Sequence, residues 1–264
     1  MFERQPVSRA SRRRGPAPLP IRRIAFAAGA MALVVGLLAV PAVRAAVGTG
    51  FRSVAKQVRN DLGVPEVDGR LLVVHLLDNS GSSVGAKQDI VKQALAATRC
   101  AGIDAKTAIW RYAEVEELIH TGVNSERLLK PVLRDYYASE PPSTGRGTHL
   151  GRALEAVEAM IREWKREHPG GTVFVSIGTD GGVEDIARAR TVARRLADQR
   201  VICLVHGVRV KSRLREQVTD ALRPLEAARL LHVCNQGDFA QVSETAAKAL
   251  RDAIDMTSAS GRRP

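Results

Sequence analysis

Arg70-Leu-Leu-Val-Val-His-Leu-Leu-Asp78, followed by Asn79-Ser80-Gly81-Ser82, is the stretch that decides the fold of this chain. A continuous apolar run of this length, without alternating polar positions, is typical of a strand that is covered on both faces. The Asp, Asn, Ser and Gly residues that follow it end the strand. We therefore expect a buried strand over 70–78 whose carboxyl end carries oxygen-bearing side chains.

Apolar runs and helical patterns alternate along the rest of the chain. Further strands are predicted at 107–112, 115–121, 171–178, 201–208 and 230–234, the first two of these as a hairpin-like pair. Helices are predicted near 84–98, 126–137, 149–165, 184–198, 212–223 and 238–255. This alternation implies βαβ crossovers. The predicted fold class is α/β: a doubly wound, mostly parallel six-stranded sheet with helices on both faces, in one domain over 70–256, with a disordered C-terminal tail over 257–264.

Three polar loops stand where a sheet of this kind binds its ligands. In a doubly wound sheet that place is beyond the carboxyl ends of the strands, near the point where the strand order reverses. Asp78-Asn79-Ser80-Gly81-Ser82 ends the first strand, and Thr179-Asp180-Gly181 follows the strand at 171–178. Between them, Gly147-Thr148 opens a helix. We expect these loops to meet at one edge of the sheet.

The three loops resemble those of the von Willebrand factor type A (vWA) domain family, and the resemblance covers residues 70–256. The family has an Asp-x-Ser-x-Ser motif after its first strand, a Thr at a helix start and a Thr-Asp-Gly after its fourth strand. The resemblance implies a complete metal-ion-dependent adhesion site (MIDAS) formed by Asp78, Ser80, Ser82, Thr148 and Asp180. It also implies a bound Mg²⁺, with Mn²⁺ or Ca²⁺ as alternatives, and a non-enzymatic adhesion or assembly module that binds an acidic residue of a protein partner through the metal.

The residue types suit this chemistry independently of the resemblance. Mg²⁺ prefers about six hard oxygen ligands, retains some water molecules and is seldom enclosed by protein alone. The hydroxyl groups of Ser80, Ser82 and Thr148 can serve as neutral ligands, while Asp78 and Asp180 supply negative charge. A metal with mostly neutral direct ligands stays electrophilic, so a carboxylate from outside can complete its coordination.

Other interpretations of these loops remain open. Asp and Ser between a strand and a helix are also good helix caps, so each loop taken singly fits capping alone, and a metal-free, purely structural vWA domain is one alternative. Gly81-Ser82-Ser83-Val84-Gly85 also fits the G-x-S-x-G nucleophile elbow of α/β hydrolases. That alternative makes Ser83 the nucleophile, with Asp180 as the acid and His206 or His232 as the base. It gives no role to Ser80 or Thr148, and the elbow does not follow the strand directly.

The N-terminal region predicts a membrane anchor. Residues 24–40 contain no charged or strongly polar side chain, and Arg23 and Arg44 enclose 20 uncharged positions, enough for about 30 Å of helix. Seven Arg precede this run, so the positive-inside rule keeps the N-terminus cytoplasmic. We expect a basic cytoplasmic tail (1–23), a transmembrane helix (24–43), a juxtamembrane linker (44–69) and an extracytoplasmic vWA domain, as in a bacterial envelope protein. Secretion after signal-peptide cleavage is the alternative.

Charge and cysteine content exclude two further classes of function. The net charge of +12 divides into +7 for residues 1–46 and +5 for the remaining 218 residues, and no aromatic residues are interleaved with the basic ones. A nucleic-acid-binding surface is therefore not predicted. Cys100, Cys203 and Cys234 are far apart in sequence and form neither a CxxC pair nor a zinc pattern, so we assign them no redox role.

Overall fold

A computed structural model of the chain describes residues 70–102, 104–140, 147–207, 212–235 and 239–260. Its strands are β1 (Leu71–Asp78), β2 (Lys106–Tyr112), β3 (Glu116–Val123), β4 (Thr172–Thr179), β5 (Ile202–Gly207) and β6 (Leu231–Asn235). Its α-helices are α1 (Lys87–Ala101), α2 (Glu126–Ala138), α3 (Leu150–Glu167), α4 (Ile186–Asp198), α5 (Ser212–Ala227) and α6 (Phe239–Ser260), and a 3₁₀ helix (Ser82–Ala86) precedes α1.

The six strands form one sheet in the order β3-β2-β1-β4-β5-β6. All neighbouring pairs are parallel except β2 and β3, which form the antiparallel pair that the sequence predicts. In the register, His75 on β1 lies between Ile109 on β2 and Ser176 on β4. The predicted six-stranded, mostly parallel sheet is confirmed.

Helices cover both faces of the sheet. α1 contacts α2 and α6 on one face, while α3, α4 and α5 pack side by side on the other. All eight residues of β1 and all eight of β4 are buried, because these two strands occupy the centre of the sheet. Their continuous apolar sequences are the expected consequence of coverage on both faces.

The element boundaries differ from the prediction in two places. The segment after β1 begins as a 3₁₀ helix and becomes α-helical only at Lys87. The last helix continues to Ser260, so residues 257–260, which the sequence analysis assigns to a disordered tail, are helical. Residues 261–264 lie outside the described part of the chain.

The strand order reverses between β1 and β4. These strands are neighbours, yet the chain reaches β2 and β3 on one side before it returns to β4 on the other. Their carboxyl ends place Asp78 and Thr179 next to each other at the crevice where ligands bind in folds of this type.

The predicted cytoplasmic tail, membrane anchor and linker, residues 1–69, lie outside the described residues. Among the helices that the structure describes, none combines the length and the apolar character that a membrane span requires.

Candidate metal centre

Asp78 is the most enclosed group of the site. Its carboxylate is fully buried, and its Oδ1 accepts a hydrogen bond of 2.9 Å from the backbone N–H of Ser80. Its Oδ2 accepts one of 2.8 Å from the hydroxyl of Thr179. Burial and the negative charge of Asp180 raise the pKa of Asp78 well above its usual range. A nearby cation would favour the charged form of this carboxylate.

Ser80 and Ser82 bring two hydroxyl groups together above β1. Their Oγ atoms are 3.2 Å apart. Ser80 is buried whereas Ser82 is exposed. One hydroxyl of the pair is therefore in the interior and the other is at the surface. Gly81 between them faces open space, since an added Cβ would meet nothing within 4 Å. The outer side of this loop is therefore accessible.

Thr179 and Asp180 form the opposing wall, at the end of β4. The Thr179 hydroxyl accepts the Gly181 N–H at 3.0 Å while it donates to Asp78. Gly181 adopts φ = 104°, a conformation that favours glycine. Asp180 Oδ1 is a buried oxygen without a hydrogen bond from any described residue. Among the described residues, no lysine or arginine forms an ion pair with either Asp78 or Asp180.

Thr148 lies against the loop that carries Asp180. It is buried, and its backbone C=O accepts the Glu184 N–H at 3.0 Å. Its Oγ1 would lie 3.7 Å from a Cβ added to Gly182, which is ordinary contact distance. His149, the next residue, has its Nε2 3.8 Å from the Glu184 carboxylate. Thr148 thus faces the β4 loop, and His149 lies beside it at the rim.

The structure brings the three predicted loops to one edge of the sheet. Direct contacts join Asp78 to Ser80 and Ser80 to Ser82. Thr148 is joined to the β4 loop through Gly182 and Glu184.

Sequence reasoning missed the residues that support the β1 loop from below. The Tyr136 hydroxyl donates to the Asp78 carbonyl oxygen, and Tyr136 is buried. Lys87 is also buried. Its Nζ donates to the carbonyl oxygens of Tyr136 and Ser139 at the end of α2, and burial lowers its pKa. A tyrosine and a lysine within helical patterns carry no sequence signal for these roles.

The contacts of Ser83 argue against the nucleophile-elbow interpretation. Its side chain is fully buried, and its hydroxyl is 2.9 Å from each of the carbonyl oxygens of Asp78 and Ser80. A nucleophile elbow needs an exposed hydroxyl that is bonded to a base. Of the two proposed bases, His206 is buried within β5, and His232 lies 3.2 Å from Asp252. Ser83 closes the turn after β1.

The remaining buried histidine and the cysteines are core residues. His75 Nε2 lies 3.3 Å from the Thr98 hydroxyl, as expected for a hydrogen-bonded core residue, and burial lowers its pKa to about 4. Cys100, Cys203 and Cys234 are all buried thiols. Burial raises the pKa of Cys203 to about 12, which makes its reactive thiolate form rare.

The donor set fits a hard cation. Within the described part of the chain, no group of three or more His, Cys, Asp or Glu side chains has metal-binding geometry. The five candidate ligands comprise two carboxylates and three hydroxyl groups. The proposed site therefore does not contain three His, Cys, Asp or Glu side chains. A buried carboxylate oxygen without a donor, next to a second buried carboxylate, is a position that a cation would satisfy.

Comparisons with known proteins concern the fold. The sequence matches no protein-family model and no curated protein. Among solved structures, the chain is similar to an aerotolerance-related membrane protein from Bacteroides fragilis, at 15% identity and a TM-score of 0.50, over 70% of this chain and 99% of that one. It is also similar to a von Willebrand factor type A structure from Catenulispora acidiphila, at 17% identity and a TM-score of 0.48, over 69% and 42% of the two chains.

A third similar structure is proximal thread matrix protein 1 from the mussel byssus with a zinc-occupied MIDAS motif, at 17% identity and a TM-score of 0.44, over 71% of this chain and 48% of that one. This chain therefore matches less than half the length of the Catenulispora and mussel proteins. At such identities the similarity concerns the fold alone. The fold is a six-stranded, mostly parallel sheet with helices on both faces.

Proposed function

We propose that this chain is a non-enzymatic vWA module that binds a divalent cation at Asp78, Ser80, Ser82, Thr148 and Asp180. One observation supports this above the others: Asp78 and Asp180 are close enough for one charge to raise the other's pKa, and Asp180 Oδ1 is buried without a donor. Among the described residues, the Lys87 ammonium acts on Asp78 electrostatically, but no lysine or arginine forms an ion pair with either carboxylate. A cation between the two carboxylates would supply the missing positive charge. The hydroxyl groups beside them complete a set of hard oxygen ligands.

Mg²⁺ is the expected ion, with Mn²⁺ and Ca²⁺ as alternatives. Neutral hydroxyl ligands leave its charge incompletely neutralised, and Mg²⁺ keeps coordination positions for water or an incoming ligand. When bound, the ion would supply a Lewis acid that takes an external carboxylate. The residues of this chain would hold the ion. The exposed Ser82 would leave its outer side open to solvent, and the buried Asp78 would exclude water from its inner side.

A protein partner suits the surface around the site. Val84 (55% exposed) follows the β1 loop, Val115 (61%) lies in the turn between β2 and β3, and Tyr137 (56%) lies in the last turn of α2. The chain topology places all three at the metal-site end of the sheet. Exposed aliphatic and tyrosine side chains around a polar centre are typical of protein interfaces. We propose a partner that presents an acidic residue flanked by apolar side chains.

Metal binding is tested by thermal unfolding of the full chain in Mg²⁺, Mn²⁺ or a chelator. A ligand present at about 100 times its dissociation constant adds about 2.7 kcal/mol of stability, or roughly 5–10 °C for a domain of this size. Asp78→Ala and Thr148→Ala should abolish the shift, whereas Tyr137→Ser is the matched control and should keep it. An equal melting temperature in metal and chelator supports the metal-free structural alternative.

Partner binding is tested by affinity capture from membrane extracts in Mg²⁺ and in chelator. We expect capture that the chelator and Thr148→Ala abolish and that Tyr137→Ser weakens without loss of metal binding. Capture that persists in chelator would show that the metal does not bridge the two proteins. The hydrolase alternative is tested by assaying the original chain and Ser83→Ala with ester substrates. If the chain is a hydrolase, Ser83→Ala should lose the esterase activity and keep metal binding.

We also propose that residues 24–43 anchor the chain in a membrane, with residues 1–23 cytoplasmic and the vWA module extracytoplasmic. The apolar run and the seven preceding Arg support this orientation. Alkaline extraction should leave the full chain in the membrane pellet, and deletion of residues 24–43 should release it. Protease added from outside should digest the module in intact cells. A shortened, released native chain supports signal-peptide cleavage instead.

A further inference from the structure

Asp185 caps the first turn of α3 from a distant part of the chain. Its Oδ1 accepts the Gly151 N–H at 2.9 Å, and its Oδ2 accepts the Arg152 N–H at 3.0 Å. Helix capping usually comes from the residue just before the helix, but His149 occupies that position here and its side chain makes no capping bond. Asp185 directly precedes α4 and makes no capping bond to its own helix. Its carboxylate therefore joins α3 to α4.

The packing at this junction leaves no room for a side chain at position 151. A Cβ added to Gly151 would lie 2.6 Å from the Ala189 backbone nitrogen and 2.7 Å from Asp185 Oδ2. The two helices thus touch through their backbones beside the capping carboxylate. Further along, Arg188 pairs with Glu155 across the same two helices. The start of α3 is fixed relative to the start of α4.

This junction lies beside two of the proposed metal ligands. Thr148 is the second residue before α3, and its C=O accepts the N–H of Glu184, the residue next to Asp185. Asp180 lies five positions before Asp185 in the loop between β4 and α4. Among the described residues, no hydrogen bond joins the β1 ligands to α3. The position of Thr148 relative to Asp180 therefore depends on how α3 docks on the β4 loop.

We propose that Asp185 is a positioning residue for the metal site, one that holds Thr148 against the loop that carries Asp180 without touching the ion. The proposal rests on the proposed metal binding. Residues that orient metal ligands typically change affinity 10- to 100-fold when they are replaced. A helix cap that served stability alone would lower the melting temperature and leave the affinity of the folded protein unchanged.

The test compares Asp185→Ala with Asp220→Ala in the full chain. Asp220 also joins two helices of the same face, since it pairs with Arg190 of α4 from its place on α5, but it belongs to no loop of the site. Mg²⁺ and Mn²⁺ affinities are measured by titration calorimetry, and stabilities by denaturant unfolding in chelator. We expect Asp185→Ala to weaken both metals at least 10-fold, Asp185→Asn to weaken them less, and Asp220→Ala to change affinity less than twofold.

The outcomes separate the two proposals. Metal binding by the original chain, together with an unchanged affinity in Asp185→Ala, overturns the positioning role alone. An equal loss in Asp185→Ala and Asp220→Ala also overturns it, because general loosening of this face would then explain the effect. Absence of metal binding in the original chain overturns the proposed function and the positioning role together.

Discussion

The two halves of the site are built differently. The β1 half, comprising residues 78–83 and the groups beneath them, is held from several directions. The Asp78 carbonyl oxygen accepts from Tyr136 and lies within hydrogen-bond distance of Ser83, and the Asp78 carboxylate accepts two further bonds. Lys87 and Ser139 tie the end of α2 to the same loop, Ser139 through the Asn79 side chain. These contacts between protein groups fix the β1 half.

The β4 half, comprising Thr148 and residues 179–185, is held more sparingly. Asp180 Oδ1 has no donor among the described residues, and Thr148 contributes its backbone carbonyl to a hydrogen bond while its hydroxyl faces Gly182. The Asp185 carboxylate docks α3 beside it. The contrast concerns the residues that support the ligands: changes to those of the β1 half should reduce stability, whereas changes to those of the β4 half should also reduce metal affinity.

Lys87→Met gives the largest expected effect in the β1 half. Methionine has a similar shape but leaves the carbonyl oxygens at the end of α2 without the ammonium donor. Hydrogen bonds to charged groups are worth about 1.5–3 kcal/mol each, and the Tyr136 carbonyl oxygen keeps only its two bonds from Ser139. We expect a loss of about 3 kcal/mol in denaturant unfolding, with metal affinity changed less than threefold.

Lys92→Met is the matched control for Lys87→Met. Lys92 lies on the same helix, is about half exposed and pairs with Asp89. Exposed pairs of this kind contribute about 0–1 kcal/mol. Equal stability losses in the two variants would show that the buried ammonium does not support the site.

Gly151→Ala tests the β4 half. The new methyl group meets backbone and carboxylate atoms that cannot move aside singly, so α3 must shift away from α4. Overpacking of this kind costs roughly 1–3 kcal/mol, and we expect about 2 kcal/mol. Unlike Lys87→Met, this change should also weaken Mg²⁺ binding about 10-fold, because Thr148 moves with α3. Unchanged affinity at reduced stability would contradict the division between the two halves.

The sequence was sufficient to predict the sheet and the three loops. The continuous apolar runs of β1 and β4 predicted central strands, and polar residues at their ends predicted the ligand-binding edge. Both follow from local pattern and from the rule that parallel strands end at the same side of the sheet. The three loops were found in this way, whereas the five proposed ligands within them follow from the resemblance to the vWA family, and whether they bind metal stays a prediction.

The supporting residues could not be predicted, because their roles depend on packing across long stretches of chain. Asp185 precedes a helix, so local reasoning assigns it to that helix, whereas its partners lie more than thirty positions earlier in the chain. Tyr136 and Tyr137 are adjacent in sequence, yet one is buried and the other exposed. Only the rotation of α2 against the sheet decides between them. Lys87 has the sequence signature of an ordinary surface lysine.

Acid should remove the stability that depends on His75, whereas protonation of Asp78, whose pKa is raised, acts in the opposite direction. Its pKa is lowered to about 4 by burial, against about 6.5 when unfolded, so below pH 6.5 the unfolded chain binds the proton more tightly than the folded one. The stability that His75 contributes is present in full above pH 6.5 and is lost as the pH decreases towards 4. The contribution of His75 to the free energy of unfolding should therefore be about 2 kcal/mol smaller at pH 5 than at pH 7.

The measurement is denaturant unfolding of the original chain and of His75→Gln at both pH values. Glutamine keeps a group that can bond to Thr98 but does not titrate. We expect the stability of His75→Gln to fall by about 2 kcal/mol less than that of the original chain over this interval. The same pH dependence in both proteins would assign the acid sensitivity to other groups.

Tyr136→Phe gives the smallest expected effect and tests a single hydrogen bond of the β1 half. The change removes one donor to the Asp78 carbonyl oxygen, while the Ser83 hydroxyl remains within hydrogen-bond distance of that oxygen. Because the acceptor keeps a neighbouring donor, the loss should be about 1 kcal/mol, the net value of a typical hydrogen bond. Tyr137→Phe is the control at the next position, where the exposed hydroxyl should contribute nothing measurable to unfolding. If Tyr136→Phe weakens Mg²⁺ binding tenfold while stability is unchanged, the β1 half is not fixed before metal binding, and the contrast between the halves fails.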